Sequence, residues 1–204
     1  MHLINDKYLV VSQVCGVHSI RMTSEDGMNR LTRDKLIALT TAIREISSND
    51  SLGAPLVISG DTNFSAGADL NEIASLTGPA AYAFSALGQD LMHSVATFPM
   101  PVIAAITGHC MGGGLDLALA CHRRIAAPTA VFGHRGTALG LITGWGGTQR
   151  LPRLIGKGQA LELLVAAEKI SATRALEIGL IDSIANDPVA EAAACARRHQ
   201  PEKA

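Results

Sequence analysis

The chain has 204 residues, a formal net charge of −1 and a composition 48% hydrophobic but only 3% aromatic. That length is enough for one large domain, or a domain with an appendage, around a core of Ala, Leu, Ile and Val. The near-neutral balance, without long runs of like charge, gives no reason to expect nucleic acid or an anionic membrane as partner.

Residues 1–7 lack the charged segment and apolar stretch of a signal peptide. Residues 8–11 and 14–22 read as two strands, bending near Cys15-Gly16. Over 31–46, Leu36, Leu39, Ile43 and Ile46 recur at spacings of three and four, which predicts an amphipathic helix. Thr32 is its expected N-cap, and Ser47-Ser48-Asn49-Asp50 is expected to end it. The apolar run 55–59 reads as a strand buried on both faces. A polar loop follows from Gly60 to Asp69, and helical spacing resumes at Leu70.

A second long helix is expected from Pro79 to about Thr97, broken by Pro99 and Pro101, which open the strand 102–106. A Gly-rich loop then leads into a helix at about 113–121, followed by short strands at 124–127 and 130–132. Beyond Trp145 the chain reads as helices at about 147–155, 157–167, 172–178 and 188–199, interrupted by a short strand at 179–184. Residues 197–204 read as a polar, frayed tail. Buried strands alternating with helices predict an α/β fold, with a core domain at 1–185 and a short C-terminal helix and tail at 186–204.

No apolar run reaches the roughly 18–20 residues of a membrane span, so a soluble, cytoplasmic protein is expected. Cys15, Cys110, Cys121 and Cys195 form no CxxC pair and have no His at metal-ligand spacing. They are expected to be small buried hydrophobes of a reducing compartment, with no metal bound.

Two loops carry the chemistry. In the first, strand 102–106 ends at Gly112-Gly113-Gly114, and Asp116 sits in the first turn of the next helix. Bare N–H groups at a helix N-terminus attract negative charge, and glycine lets a ligand approach them. Taken alone, the same stretch reads equally well as a tight turn packing a helix on a strand. The second loop, Asp61 to Leu70, likewise leaves a buried strand and precedes a helix. Two strand ends in one parallel sheet can bring two N–H donors to a common point, an arrangement that makes an oxyanion hole.

Phe64-Ser65-Ala66-Gly67-Ala68-Asp69-Leu70, Gly112-Gly113-Gly114-Leu115-Asp116-Leu117-Ala118 and Gly146-Gly147-Thr148-Gln149-Arg150-Leu151 together resemble the crotonase (enoyl-CoA hydratase/isomerase) superfamily. Arg174-Ala175-Leu176-Glu177-Ile178-Gly179-Leu180-Ile181-Asp182 is similar to a further segment of that family. The resemblance covers roughly residues 8–190. It implies a spiral of ββα units that binds acyl-CoA thioesters, with coenzyme A as part of the substrate and no separate cofactor. The N–H groups of Ala68 and Gly113 would grip the thioester oxygen. Ser65, Ala66, Gly67, Asp69 and Leu70 would line the CoA channel beside Gly112, Gly136 and Gly144 would also lie at the substrate, and Gly27-Met28-Asn29 looks like a looser match to a CoA-touching segment. The resemblance also implies a homo-oligomer, a trimer or hexamer.

The pattern departs from the family's in two respects. Hydratases of this family use two glutamates; the first position falls on Asp116 and the second on Gly136. The third acid of the family's dienoyl-CoA isomerases is replaced by Gly144. A carboxylate in a helix's first turn is favoured by the helix dipole, so Asp116 is expected to act as the base. One carboxylate can move a proton between α and γ carbons, so isomerisation is expected to survive better than two-acid hydration. His134, on the loop that would carry the missing acid, is a candidate replacement, and His109 a weaker one; Trp145 reads as either pocket wall or core. The second departure is length: the family usually continues into a further helical segment that covers the site and builds trimers, so a shortened C-terminal region is expected here. Alternatives are a catalytically weak or inactive acyl-CoA-binding homologue, or a CoA-ester decarboxylase or hydrolase on the same scaffold.

Overall fold

In the computed structural model, which describes residues 2–49 and 53–198, the chain opens as a three-stranded antiparallel meander. Its strands are β1 (His2–Asn5), β2 (Leu9–Val14) and β3 (Val17–Met22). Cys15 and Gly16 turn the second hairpin with φ of 50° and 74°. Such left-handed turns match the twist of the flanking strands. The turn places Cys15 at an exposed tip; it is not the buried hydrophobe expected, whereas Cys110, Cys121 and Cys195 are buried.

Helix α1 (Arg33–Asn49) follows, and Thr32 caps it by accepting the Lys35 N–H at 3.3 Å. It continues through Ser47 and Ser48, where termination was expected. Ser48 stays helical because its hydroxyl donates to the Arg44 carbonyl (2.9 Å) and does not break the turn. Asp50 lies outside the described residues.

Next come β4 (Leu56–Gly60), α2 (Leu70–Ala74), α3 (Gly78–Ala96) and β5 (Val102–Ile106). Then follow β6 (His109–Met111), α4 (Gly113–Ala120), β7 (Arg123–Ala126) and β8 (Val131–Gly133). A 3₁₀ turn (Thr137–Leu139) precedes α5 (Gly147–Ile155) and α6 (Lys157–Ala166). The chain closes with β9 (Ile170–Ser171), α7 (Ala172–Glu177), β10 (Ser183–Ile184) and α8 (Pro188–Arg197).

Two corrections concern strands. His109–Met111 is a strand and not loop, and the strand expected at 179–184 shrinks to Ser183–Ile184. Gly179, at φ 76°, turns the chain there, and Leu180 N–H closes back on the Ala175 carbonyl at 2.8 Å.

The larger sheet has the order β1-β2-β3-β4-β5-β7-β10, parallel from β3 onward. A smaller sheet, β6-β8-β9, lies apart from it. The chain visits both in turn: β5 then β6, β7 then β8, each pair followed by a helix. Before them β4 leads to Ser65, which bridges Cys110 of β6. This repetition is the spiral of ββα units that the motifs implied.

Alternation decides the packing. Leu56 and Ile58 of β4, with Val102, Ala104 and Ile106 of β5, face the main core under α1, α3 and α4. Val57, Ile103, Ala105 and Ile125 face the opposite side, where Ala192, Cys195 and Ala196 of α8 cover them. Both faces are therefore filled, as continuous apolar strands require. Among the described residues, no helix is long and apolar enough to cross a membrane.

Candidate active site

β4 and β5 run side by side, with Leu56 opposite Val102 and Ser59 opposite Ala105, so their following loops leave the same sheet edge. Backbone bonds then knit the loops together. Phe64 N–H donates to Thr107 O (2.8 Å), Ser65 N–H to His109 O (2.9 Å), and Met111 N–H to Ser65 O (2.9 Å). The buried Ser65 hydroxyl donates to Asn29 O (2.7 Å) and accepts the Gly67 N–H (3.1 Å).

Each glycine of the triple run has its own reason. Gly112 holds φ 51°, ψ −120°, a conformation closed to residues with a Cβ. A Cβ on Gly113 would overlap the Trp145 ring, and one on Gly114 would lie 2.7 Å from Ser65 Cβ. Gly67, at φ 96°, approaches so closely that its Cβ would lie 2.7 Å from Met111 O and 3.2 Å from Gly113 N.

This contact brings Ala68 and Gly113 together: a Cβ on Gly113 would lie 3.4 Å from Ala68 N. Among the described residues, neither the Ala68 nor the Gly113 N–H has an acceptor. Two neighbouring backbone donors are thus left unspent beside a helix N-terminus.

Residues 27–29 back the first loop. Met28 O accepts the Ala66 N–H (2.8 Å), and Gly27 O accepts Asn63 Nδ2 (3.0 Å). Asn29, buried at φ 49°, donates through Nδ2 to Asn63 O (2.8 Å). The buried Lys35 ammonium donates to Thr23 O (2.8 Å) and Asn29 Oδ1 (3.1 Å), and burial lowers its pKa to about 8. Asp69 caps α2 by accepting the Asn71 and Glu72 N–H groups, and Leu70 beside it is exposed.

Asp116 lies in the first turn of α4 and is only 2% exposed. Thr143 donates its hydroxyl to Asp116 Oδ2 at 2.7 Å, and His134 Nε2 stands 3.8 Å from the same oxygen. Among the described residues, Oδ1 is buried without a hydrogen-bond partner. Gly136 carries no side chain and precedes the 3₁₀ turn, while exposed Gly144 offers its carbonyl to Gln89 Nε2 (2.9 Å). His109 is spent on the fold: both its backbone N–H (2.8 Å) and its ring Nδ1 (2.9 Å) meet Asn63 Oδ1. Trp145 is a core residue, stacked at a tilt on Phe84 (centroids 5.5 Å apart), whose ring edge reaches Gly113.

The sequence reading did not single out Thr143, Asn63 or Lys35, and it read Asn29 only as part of a CoA-touching segment. No local pattern marks them; each is an ordinary polar residue until the fold brings it to a partner distant along the chain.

Residues 13–201 match the family model described as Enoyl-CoA hydratase/isomerase. The chain belongs to that family. Over 160 residues it is 42% identical to a crotonyl-CoA hydratase of Syntrophomonas wolfei subsp. wolfei, which covers 77% of this chain. The match covers 61% of that relative, so the chain spans about three fifths of its length. The fold is similar to that of Pseudomonas aeruginosa DspI, with a TM-score of 0.90 and 32% identity over 96% of this chain and 76% of that one. It is equally similar to an enoyl-CoA hydratase from Bacillus anthracis, with a TM-score of 0.89 and 35% identity over 94% of this chain and 76% of that one. The ββα spiral is the crotonase fold of the enoyl-CoA hydratase/isomerase family.

Proposed function

We propose that this member of the enoyl-CoA hydratase/isomerase family processes acyl-CoA thioesters by holding their enolates. The observation that carries the reading is the pair of unspent N–H groups at Ala68 and Gly113. Donors of this kind stabilise charge as it develops on an oxygen, and losing one typically costs about 3–4 kcal/mol of transition-state stabilisation. CoA lies along 61–70 and beside Gly27, Met28 and Gly112; it is part of the substrate, and no separate cofactor takes part.

Asp116 moves the proton. Its carboxylate removes hydrogen from the α carbon of a 3-enoyl thioester, leaving the electron pair in the dienolate, and returns the proton to the γ carbon. No second carboxylate stands at Gly136 or Gly144, so isomerisation is favoured over two-acid hydration. Membership of the family supports assembly into a homo-oligomer, a trimer or hexamer. The deep burial of Asp116 favours a second reading, a catalytically weak acyl-CoA binder; a CoA-ester decarboxylase or hydrolase would use the same two donors.

The test is turnover of crotonyl-CoA and of a 3-enoyl-CoA by the protein and by Asp116→Asn. The 3-enoyl-CoA should react faster, and the variant should lose about 10²- to 10⁴-fold in rate. If neither substrate turns over while CoA esters still bind, the binder reading stands instead. Unchanged turnover in the variant removes Asp116 from the mechanism.

A further inference from the structure

The His134 ring packs directly against Gly136, so that position leaves little room for a side chain unless the ring shifts. A Cβ on Gly136 would lie 3.2 Å from His134 Cε1, 3.3 Å from its Nδ1 and 3.0 Å from Leu141 O. Any side chain at 136 would press on the His134 ring, which would have to give by a few tenths of an ångström. The ring is nearly buried, 10% exposed, and its Nε2 faces Asp116 Oδ2 at 3.8 Å. Thr143 holds that same oxygen at 2.7 Å, which leaves Oδ1 of Asp116 as the oxygen without a partner among the described residues. The 3.8 Å separation is within reach of an ion pair and longer than a hydrogen bond. Catalytic contacts of this length commonly tighten once substrate is bound.

Resting on the acyl-CoA reading above, we propose that His134 is the second proton-carrying group of this site. It is a positioning and relay residue that works through Asp116 and takes the place of the side chain that Gly136 lacks. In water addition to a 2-enoyl thioester, the water oxygen bonds to the β carbon as one of its O–H bonds breaks. The proton goes to Asp116 and is shared with His134, while the π electrons move into the enolate held at Ala68 and Gly113. The α carbon then takes a proton back from the pair, and the thioester carbonyl re-forms. In isomerisation a single proton leaves the α carbon and returns at the γ carbon, a shuttle that Asp116 completes with less help. His134 therefore matters most for hydration.

Steady-state kinetics of the full chain with crotonyl-CoA and with a 3-enoyl-CoA test this, using His134→Gln, His134→Asn, Asp116→Asn and the His134→Gln/Asp116→Asn double variant. Circular dichroism identifies the variants that fold, and the asparagine substitution serves if the glutamine one does not. The expected result is a kcat for hydration lowered about 10²-fold, a KM within about twofold, and a clearly smaller loss in isomerisation. In the Asp116→Asn background, replacing His134 should add nothing. An unchanged kcat, a change confined to KM, or a full second loss in the double variant overturns the assignment and leaves the acyl-CoA reading intact. Failure of the wild-type protein to turn over either substrate overturns both.

Discussion

Asp116 and Lys35 are costly groups to keep inside a fold, and each is held by a different device. A buried carboxylate with one unpartnered oxygen is unfavourable unless dipoles compensate. Here the N-terminal turn of α4 and the Thr143 hydroxyl provide that compensation. Lys35 is held by two oxygens, Thr23 O and Asn29 Oδ1, and thereby fixes the 27–29 segment behind the first site loop.

Desolvation lowers the Lys35 pKa from 10.5 to about 8, partly opposed by Asp26, Asp6 and Asp61. Between those two pH values the unfolded chain binds more protons than the folded one, so this group makes stability rise with pH across that window. The full rise is about 3 kcal/mol. Urea denaturation of the wild type and of Lys35→Met, at pH 7.5 and at pH 10, checks it. The wild type should gain on the variant at the higher pH, and a constant difference would contradict the account.

At the scale of elements, one arginine ties the turn after α7 to the sheet. Arg124 of β7, 5% exposed, donates through Nε to Leu180 O (2.9 Å) and through Nη1 to Cys121 O (2.8 Å). Its backbone N–H donates to Asp182 Oδ2 (2.8 Å), and the Asp182 N–H returns the bond to Arg124 O (2.9 Å). This clamp fixes the turn after α7, so that β10 pairs in parallel with β7 and α8 follows over the far face of the sheet. Arg124→Met keeps the apolar stem but leaves the carbonyls of Leu180 and Cys121 unpaired. It should lower the unfolding free energy by about 2–4 kcal/mol, read from urea midpoints at constant m-value. An unchanged midpoint would show that the clamp contributes nothing.

Across the whole molecule, the features legible in the sequence are those that local physics specifies. α1 was readable from apolar spacing, α3 from the prolines at its two ends, and β4 and β5 from short, wholly apolar runs. The two site loops were readable only as a pair: the Gly112-Gly113-Gly114 run alone reads equally well as a tight turn, and its resemblance, together with 61–70, to the family's motifs decides between the readings. β6 and β9 were not: three and two residues are too short to show a period, and their partners lie far along the chain. For the same reason Thr143 and Asn63 gave no signal. Gly136 was legible as a lost carboxylate, but only the packed structure shows the His134 ring lying against it.

The central claim is that the Ala68 and Gly113 N–H groups together grip a thioester oxygen. Infrared difference spectra of butanoyl-CoA, ¹³C-labelled at the thioester carbonyl and bound to the protein, test it most directly. Two converging donors polarise the carbonyl, so its stretch should fall clearly below that of the free thioester in water. A bound thioester whose carbonyl stretch stays at the free value would contradict the account.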